Sequence, residues 1–180
     1  VSPTTFQALM AHVGSPCEAF PVFANRTDFD CFYSLKRARF YVDSWQLQEA
    51  YDELEKIEKW GFANNKFNYQ EWLLLHSRLQ FRSGMGDHSH IRDMLLHAIH
   101  ISRPNIDFMD FRSLLLSINE IALLIYYAQE ELYRGEQTLC LSICEQLSDY
   151  LENSKVSFLE KDRLVAENAV VYSKYLLAIE

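Results

Sequence analysis

The chain has 180 residues, of which 49% are hydrophobic and 14% are aromatic. This composition excludes a disordered tail, and the length is sufficient to bury a substantial core. The formal net charge is −8, with no Lys or Arg before Arg26, which argues against nucleic-acid binding by these residues themselves. We therefore expect any contact with DNA to come only through a separate N-terminal domain.

The sequence indicates a cytoplasmic protein. Its four cysteines lack the spacing of a disulfide framework, which is typical of reduced thiols. The longest apolar run, residues 114–128, is interrupted by Ser117, Asn119 and Glu120, so no segment is predicted to span a membrane. No signal peptide is recognisable. We expect cytoplasmic localisation and no membrane partner.

The first 24 residues predict two short helices. One begins at Ser2 and ends at Gly14, and the other begins at Ser15 and is interrupted by Pro21. Because two such helices bury little apolar surface by themselves, we expect residues 1–24 to be the trailing helices of an upstream domain.

From residue 28 onward, apolar residues follow the period of an amphipathic helix through every long segment. The pattern predicts three antiparallel helix pairs and a last helix without a partner, at 28–43 with 45–60, 65–82 with 87–102, 110–134 with 135–152, and 157–180. Helix pairs that recur about every 40 residues, with no strand signal, indicate an all-α fold. We predict an α-solenoid of tetratricopeptide-like antiparallel helix pairs over residues 25–180, with at least six helices. Because the last helix lacks a partner, we expect this repeat domain to be truncated at its C-terminus.

Two of the predicted helices carry a line of polar residues between apolar neighbours. In each line a basic residue, an asparagine and a tyrosine are spaced by seven, and helix 65–82 gives a weaker echo with Glu71 and Arg78. The lines are Arg112, Asn119 and Tyr126 in one helix, and Lys161, Asn168 and Tyr175 in the other. An asparagine left unpaired among apolar residues costs about 1–3 kcal/mol, so each line should face a polar ligand, another helix or trapped water.

The segment DHSHIRDMLLHAIH, residues 87–100, contains the densest group of histidines. His90 with His97, or His97 with His100, could share a helix face toward a metal ion, but spacing places no carboxylate or thiolate to complete the coordination sphere. Surface or packing histidines are therefore favoured, and we predict no metal or other cofactor. A nucleotide-binding loop, an HExxH motif and a Ser-His-Asp order are all absent from the sequence, so we do not expect enzyme activity.

Three segments, SPTTFQALMAHVGSPCEAF, INEIALLIYYAQEEL and ENAVVYSKYL, resemble cytoplasmic peptide-pheromone regulators of the Rgg, PlcR and PrgX kind. Those regulators join an N-terminal helix-turn-helix domain to tetratricopeptide-like repeats, form homodimers, and change transcription when a short signalling peptide enters the groove of the repeats. The resemblance implies that residues 1–24 end such a DNA-binding domain and that Asn119 and Asn168 clamp a peptide backbone. It also implies Arg78, Arg112 and Lys161 as partners of a peptide carboxylate or acidic side chain. The predicted peptide-binding residues are Arg78, Arg112, Asn119, Tyr126, Lys161, Asn168 and Tyr175, in one groove.

A primary amide suits the clamping role because it offers a donor and an acceptor to the C=O and N–H of an extended peptide. The predicted function is therefore a peptide-sensing regulatory domain that controls DNA binding by a separate domain. The alternative is a tetratricopeptide adaptor that binds a protein partner without DNA, and residues upstream of Val1 would discriminate the two. A third hypothesis, a metal-dependent enzyme built on the histidine segment, requires bound metal.

Overall fold

The computed structural model describes residues 25–84, 86–153 and 158–179, and at 63 and 158–160 it describes the backbone alone. These residues form seven α-helices and a short 3₁₀ turn, and the described part of the chain contains no β-strand. The predicted all-α class is confirmed. The helices are α1 (Arg26–Asp43), α2 (Leu47–Lys59), α3 (Lys66–Ser83), α4 (His88–Ser102), α5 (Ile118–Tyr133), α6 (Gln137–Asn153) and α7 (Phe158–Ala178), with the 3₁₀ turn Gly61–Asn64 between α2 and α3.

Short polar side chains fix where several helices begin. Asn25, Asn65 and Asp87 stand immediately before α1, α3 and α4, and each side chain accepts a hydrogen bond from a backbone N–H of the first turn. Such a cap satisfies a donor that the helix cannot pair internally and contributes about 1 kcal/mol. At its other end α3 stops at Gly84, whose φ of +65° lies in the left-handed region that favours glycine.

The odd-numbered helices form one continuous layer. α1 packs against α3, α3 against α5 and α5 against α7. Among the described residues, each even-numbered helix contacts no helix other than the odd-numbered ones that flank it in sequence. Asn68 donates to Asp28 near the starts of α3 and α1, and Arg78 pairs with Asp43 near their ends, so these two helices run in the same direction. Side chains at matching heights on neighbouring odd-numbered helices can therefore meet.

Two apolar clusters hold the helices together. The smaller one joins α1, α2 and α3 through residues such as Leu35 and Leu54. The larger one joins α3 to α7 around residues such as Leu95 and Leu123. Trp72 packs against both clusters. Each fully buried leucine in these clusters contributes roughly 1.5–3 kcal/mol to the packing.

The helix predicted at 110–134 is wrong at its start, because α5 begins only at Ile118. The hydroxyl of Ser117 accepts a hydrogen bond from the N–H of Glu120 at 3.3 Å, and the Glu120 carboxylate accepts one from the N–H of Ser117 at 2.7 Å. This reciprocal capping box starts the helix. The other boundaries of the first six helices agree with prediction within two residues.

Side chains of α6 hold the segment ahead of α5 by binding its backbone. The N–H of Phe111 donates to Oε1 of Gln146 at 2.8 Å, and the N–H of Leu116 donates to the hydroxyl of Tyr150 at 2.9 Å. Both apolar side chains, Phe111 and Leu116, are nevertheless fully buried. The segment therefore has the apolar content of a helix, because these two side chains are buried although its backbone is not helical.

Some predictions fall outside the described residues. These are the two helices and the domain assignment within residues 1–24, and the predicted start of the last helix at Ser157. Within the ranges that the structure does describe, none of the helices has the length and apolar character needed to cross a membrane.

Candidate functional site

A polar contact set joins three odd-numbered helices near the start of α5. Nη2 of Arg39 on α1 donates to Oε1 of Glu71 on α3 at 2.7 Å and to Oδ1 of Asn119 on α5 at 2.8 Å. The Arg39 and Glu71 side chains are only 14% and 13% exposed, so this charge pair is shielded from bulk water. The hydrogen bond from Arg39 fixes the orientation of the Asn119 amide.

A second contact set lies one to two turns further along the same helices. The guanidinium of Arg78 is 2% exposed and pairs with the carboxylate of Asp43, which is 39% exposed. It also lies 3.9 Å from Oε1 of Glu167 on α7 and 5.1 Å from the ring centroid of Tyr126 on α5. Burial raises the pKa of Tyr126, and the positive charge of Arg78 opposes that rise. Arg78 thus connects all four odd-numbered helices.

We refer to these side chains as the polar cluster, defined as Arg39, Asp43, Glu71, Arg78, Asn119, Tyr126 and Glu167. Among its polar atoms, Nδ2 of Asn119, Nε of Arg78 and Oε2 of Glu167 have no hydrogen-bond partner within the ranges that the structure describes. The latter two atoms are closed to solvent, whereas Asn119 is partly exposed. The cluster therefore offers an oriented amide donor beside a largely buried network of charges.

Aromatic and charged side chains continue the same surface at the C-terminal ends of the helices. Nζ of Lys174 donates to Oε1 of Gln129 at 3.1 Å and lies 5.7 Å and 5.8 Å from the ring centroids of Phe81 and Tyr133. At this spacing the rings attract the ammonium group electrostatically. Lys174 and Glu167 together show that one face of α7 is turned toward α3 and α5.

Of the predicted site residues, the structure brings together Arg78, Asn119 and Tyr126. Arg112 is not part of this group, because it lies in the irregular segment before α5 and cannot continue the line of Asn119 and Tyr126 along a helix. Its side chain is 64% exposed, and the nearest charged group is Asp149 on α6, 3.9 Å away. The predicted alignment of Arg112 with Asn119 and Tyr126 is therefore wrong.

The second predicted line lies against α6 instead of the polar cluster. Nδ2 of Asn168 donates to the carbonyl oxygen of Cys144 at 2.9 Å and to the hydroxyl of Ser148 at 3.0 Å, and the residue is 3% exposed. Nζ of Lys161 donates to the carbonyl oxygen of Glu152 at 3.1 Å. Tyr175 stacks on its neighbour Tyr172, with ring centroids 6.1 Å apart. Asn168 thus ties α7 to α6.

Sequence reasoning missed Arg39, Asp43 and Glu167. Arg39 and Asp43 stand four apart on α1, and Glu167 forms a 3.0 Å ion pair with Arg163 four residues before it. Charged residues at this spacing normally belong to a solvent-exposed helix face, so the pattern does not distinguish them. Only their partners on other helices mark them as part of a site.

The histidine segment has separate contacts. Nδ1 of His88 lies 2.7 Å from Oε2 of the buried Glu130, and His97 packs edge-on against Tyr69 at 5.8 Å between ring centroids. His90 and His100 are exposed. Across the part of the chain that the structure describes, no three His, Cys, Asp or Glu side chains converge in a way that could hold a metal ion.

The chain was compared with protein-family models, with curated proteins and with solved structures, and none of the three comparisons gave a match.

Proposed function

We propose that residues 25–180 are the peptide-sensing domain of a cytoplasmic transcriptional regulator. In this proposal the helices form a tetratricopeptide-like array whose odd-numbered layer is the concave inner face. A short signalling peptide binds along that face in an extended conformation and controls an N-terminal DNA-binding domain, within a homodimer. The packing of α1, α3, α5 and α7 into one layer supports the array.

The observation that carries the proposal is the arrangement of the Asn119 amide. Arg39 holds its oxygen, so the side chain is oriented before a ligand arrives, while its N–H donors have no partner within the described ranges. An oriented amide donor can bind a peptide carbonyl oxygen whatever the peptide's side chains are. Such preorganisation lowers the entropic cost of binding. The amide contributes its N–H donors to this contact, because its oxygen already accepts a hydrogen bond from Arg39.

Neighbouring cluster residues would complete the contact. Tyr126 offers a partly exposed ring beside Asn119, and Arg78 lies against that ring and positions it. Because Arg78 is 2% exposed and paired with Asp43, it does not meet a peptide carboxylate itself. Asn168 takes no part in this arrangement because its amide N–H group is engaged with α6. The resemblance to peptide-pheromone regulators favours a signalling peptide over the protein partner of an adaptor.

The test compares Asn119→Ala with Asn168→Ala. Short peptides that co-purify with the wild-type protein are identified by mass spectrometry and synthesised, and their affinities for all three proteins are measured by calorimetry. We expect Asn119→Ala to weaken binding by about 5-fold to 150-fold, which corresponds to a loss of about 1–3 kcal/mol. Its melting temperature should change little, because Arg39 keeps its ion pair with Glu71.

Asn168→Ala is the matched control. We expect it to lower the melting temperature, because the hydrogen bonds to Cys144 and Ser148 are lost, and to leave the peptide affinity of the folded protein unchanged. The proposal fails if Asn119→Ala behaves in the same way, with a loss of stability and an unaltered affinity. That result would make Asn119 a tie between helices.

A further inference from the structure

A pocket of about 630 Å³ lies between the first turns of α2, the C-terminal half of α3 and the turn into α4. None of its lining residues belongs to the polar cluster, so this pocket is separate from the proposed peptide-binding face. Its volume falls within the range of roughly 300–1,000 Å³ that is usual for small-molecule sites.

The walls are largely apolar and aromatic. Leu47 and Tyr51 line the pocket from α2, and the buried Leu79 lines it from α3. His76, also a lining residue, stacks on Trp72 with ring centroids 4.6 Å apart and planes inclined by 15°. These surfaces favour a flat, apolar ligand body.

The turn between α3 and α4 closes tightly on the pocket wall. A Cβ atom at Gly86 would lie 2.6 Å from Cδ1 of Ile91 and 2.9 Å from Cβ of Gln80. The turn can approach Gln80 this closely only because residue 86 lacks a side chain. The turn therefore packs against the base of the Gln80 side chain at the edge of the pocket.

Two polar atoms of the lining residues are unsatisfied. Nδ1 of His76 and Oε1 of Gln80 are closed to solvent and have no hydrogen-bond partner in the described part of the chain. Such an atom costs about 1–3 kcal/mol, and a native structure holds few of them. Because both side chains line the pocket, a small rotation would turn either atom toward a donor inside it.

The charges around the pocket define the ligand further. Burial lowers the pKa of His76, and His90 acts in the same direction while Glu58 opposes it, so the imidazole is neutral at pH 7 and can accept at Nδ1. No Lys or Arg is among the lining residues that the structure describes, and Asp87, whose carboxylate caps α4, is one of them. An anionic ligand is therefore disfavoured.

From these contacts we propose that the pocket binds a small, uncharged aromatic molecule that carries an N–H or O–H donor. The ring packs between the apolar walls and the His76 imidazole, and the donor pairs with Nδ1 of His76 or Oε1 of Gln80. This assignment is independent of peptide binding, so either proposal can fail without the other.

Indole is a suitable probe, because it is a flat, uncharged ring with one N–H donor, and 1-methylindole is the same ring system without that donor. Each is titrated into the ¹⁵N-labelled full chain, and affinity is taken from the chemical-shift changes, including those of the His76 ring nitrogens. We expect saturable shifts at His76, Leu79 and Gln80 with indole. Binding of 1-methylindole should be weaker by roughly 3-fold to 10-fold, the loss of one hydrogen bond.

Two variants separate ligand recognition from a structural role. His76→Phe keeps a ring against Trp72, Gln80→Met keeps the side-chain length, and each removes one unpaired atom. Because indole has one N–H donor, we expect the variant that removes its acceptor to weaken indole binding by roughly 2-fold to 10-fold, while the melting temperature of both variants stays the same or rises. His100→Phe alters an exposed histidine that does not line the pocket and should leave indole affinity unchanged.

The proposal is overturned by any of three results. The first is that indole causes no saturable shifts at His76, Leu79 and Gln80. The second is that 1-methylindole binds as tightly as indole. The third is that His76→Phe and Gln80→Met lower the melting temperature without changing indole affinity. The last result would mean that both side chains serve the fold alone.

Discussion

Removal of the Asp43 carboxylate should cost more stability than removal of its buried partner, Arg78. In Asp43→Asn the guanidinium of Arg78 keeps its 2% exposure but loses its closest negative charge, and Glu167 remains 3.9 Å away. Breaking a buried ion pair by removing one partner costs about 3–5 kcal/mol. The remaining contact with Glu167 and with the Tyr126 ring places the expected loss near the lower limit, at about 3 kcal/mol.

The reverse change, Arg78→Met, leaves a different residue without its partner. Asp43 is 39% exposed, so water can solvate its carboxylate once Arg78 is absent. Glu167 keeps Arg163 at 3.0 Å, and the methionine fills most of the volume of the arginine stem. The main loss is the contact with the Tyr126 ring, so we expect a cost of about 1 kcal/mol.

Urea unfolding measures both changes. With an m-value of about 2 kcal/mol/M, Asp43→Asn should lower the midpoint by about 1.5 M and Arg78→Met by about 0.5 M. The double variant should be more stable than Asp43→Asn alone, because no unpaired guanidinium remains. An Arg78→Met variant that is destabilised as much as Asp43→Asn, or more, would refute the argument from unequal burial.

Three further changes have expected outcomes. Ser117→Ala should lower the free energy of unfolding by about 1 kcal/mol in urea titration, because it removes the capping box of α5, and an unchanged midpoint would contradict this. Glu130→Gln should increase the free energy of unfolding at pH 7 and have little effect near pH 4. Burial raises the pKa of Glu130 above its ordinary 4.5, and His88 opposes that rise. A carboxyl whose pKa is higher in the folded than in the unfolded state makes the folded protein less stable as the pH increases. Equal effects of Glu130→Gln at pH 4 and pH 7 would contradict this prediction. In a Cys17→Ser background, the Cys31 thiol should resist alkylation at pH 8 until the protein unfolds, because burial raises its pKa to about 11. Mass spectrometry measures the labelling, and alkylation of Cys31 in the native protein would contradict the prediction.

The start of α5 shows one limit of reasoning from the sequence. Residues 111–117 have the apolar content of a helix, and their periodicity extends that of α5. Side chains on α6, Gln146 and Tyr150, bind the backbone N–H groups of Phe111 and Leu116, and this competes with helical pairing. Since those partners lie 35 and 34 residues away in the chain, no local pattern includes them.

The candidate site shows a second limit. The spacing of seven identified Asn119 and Tyr126, and also Asn168, because it tells which residues share a helix face. It does not tell which helix that face meets, and Asn168 meets α6 while Asn119 meets Arg39 from α1. Arg39 is 80 residues from Asn119 in the chain.

The sequence by itself determined the all-α class, the order of the helices and most of their boundaries. It could do so because burial of an apolar stripe and capping of a helix end depend on residues within a few positions of each other. Only the tertiary structure decided the membership of the polar cluster, the role of Asn168 and the pocket beside His76. Those features depend on which faces of distant helices pack together, and pairing between distant residues is set by the fit of the whole core.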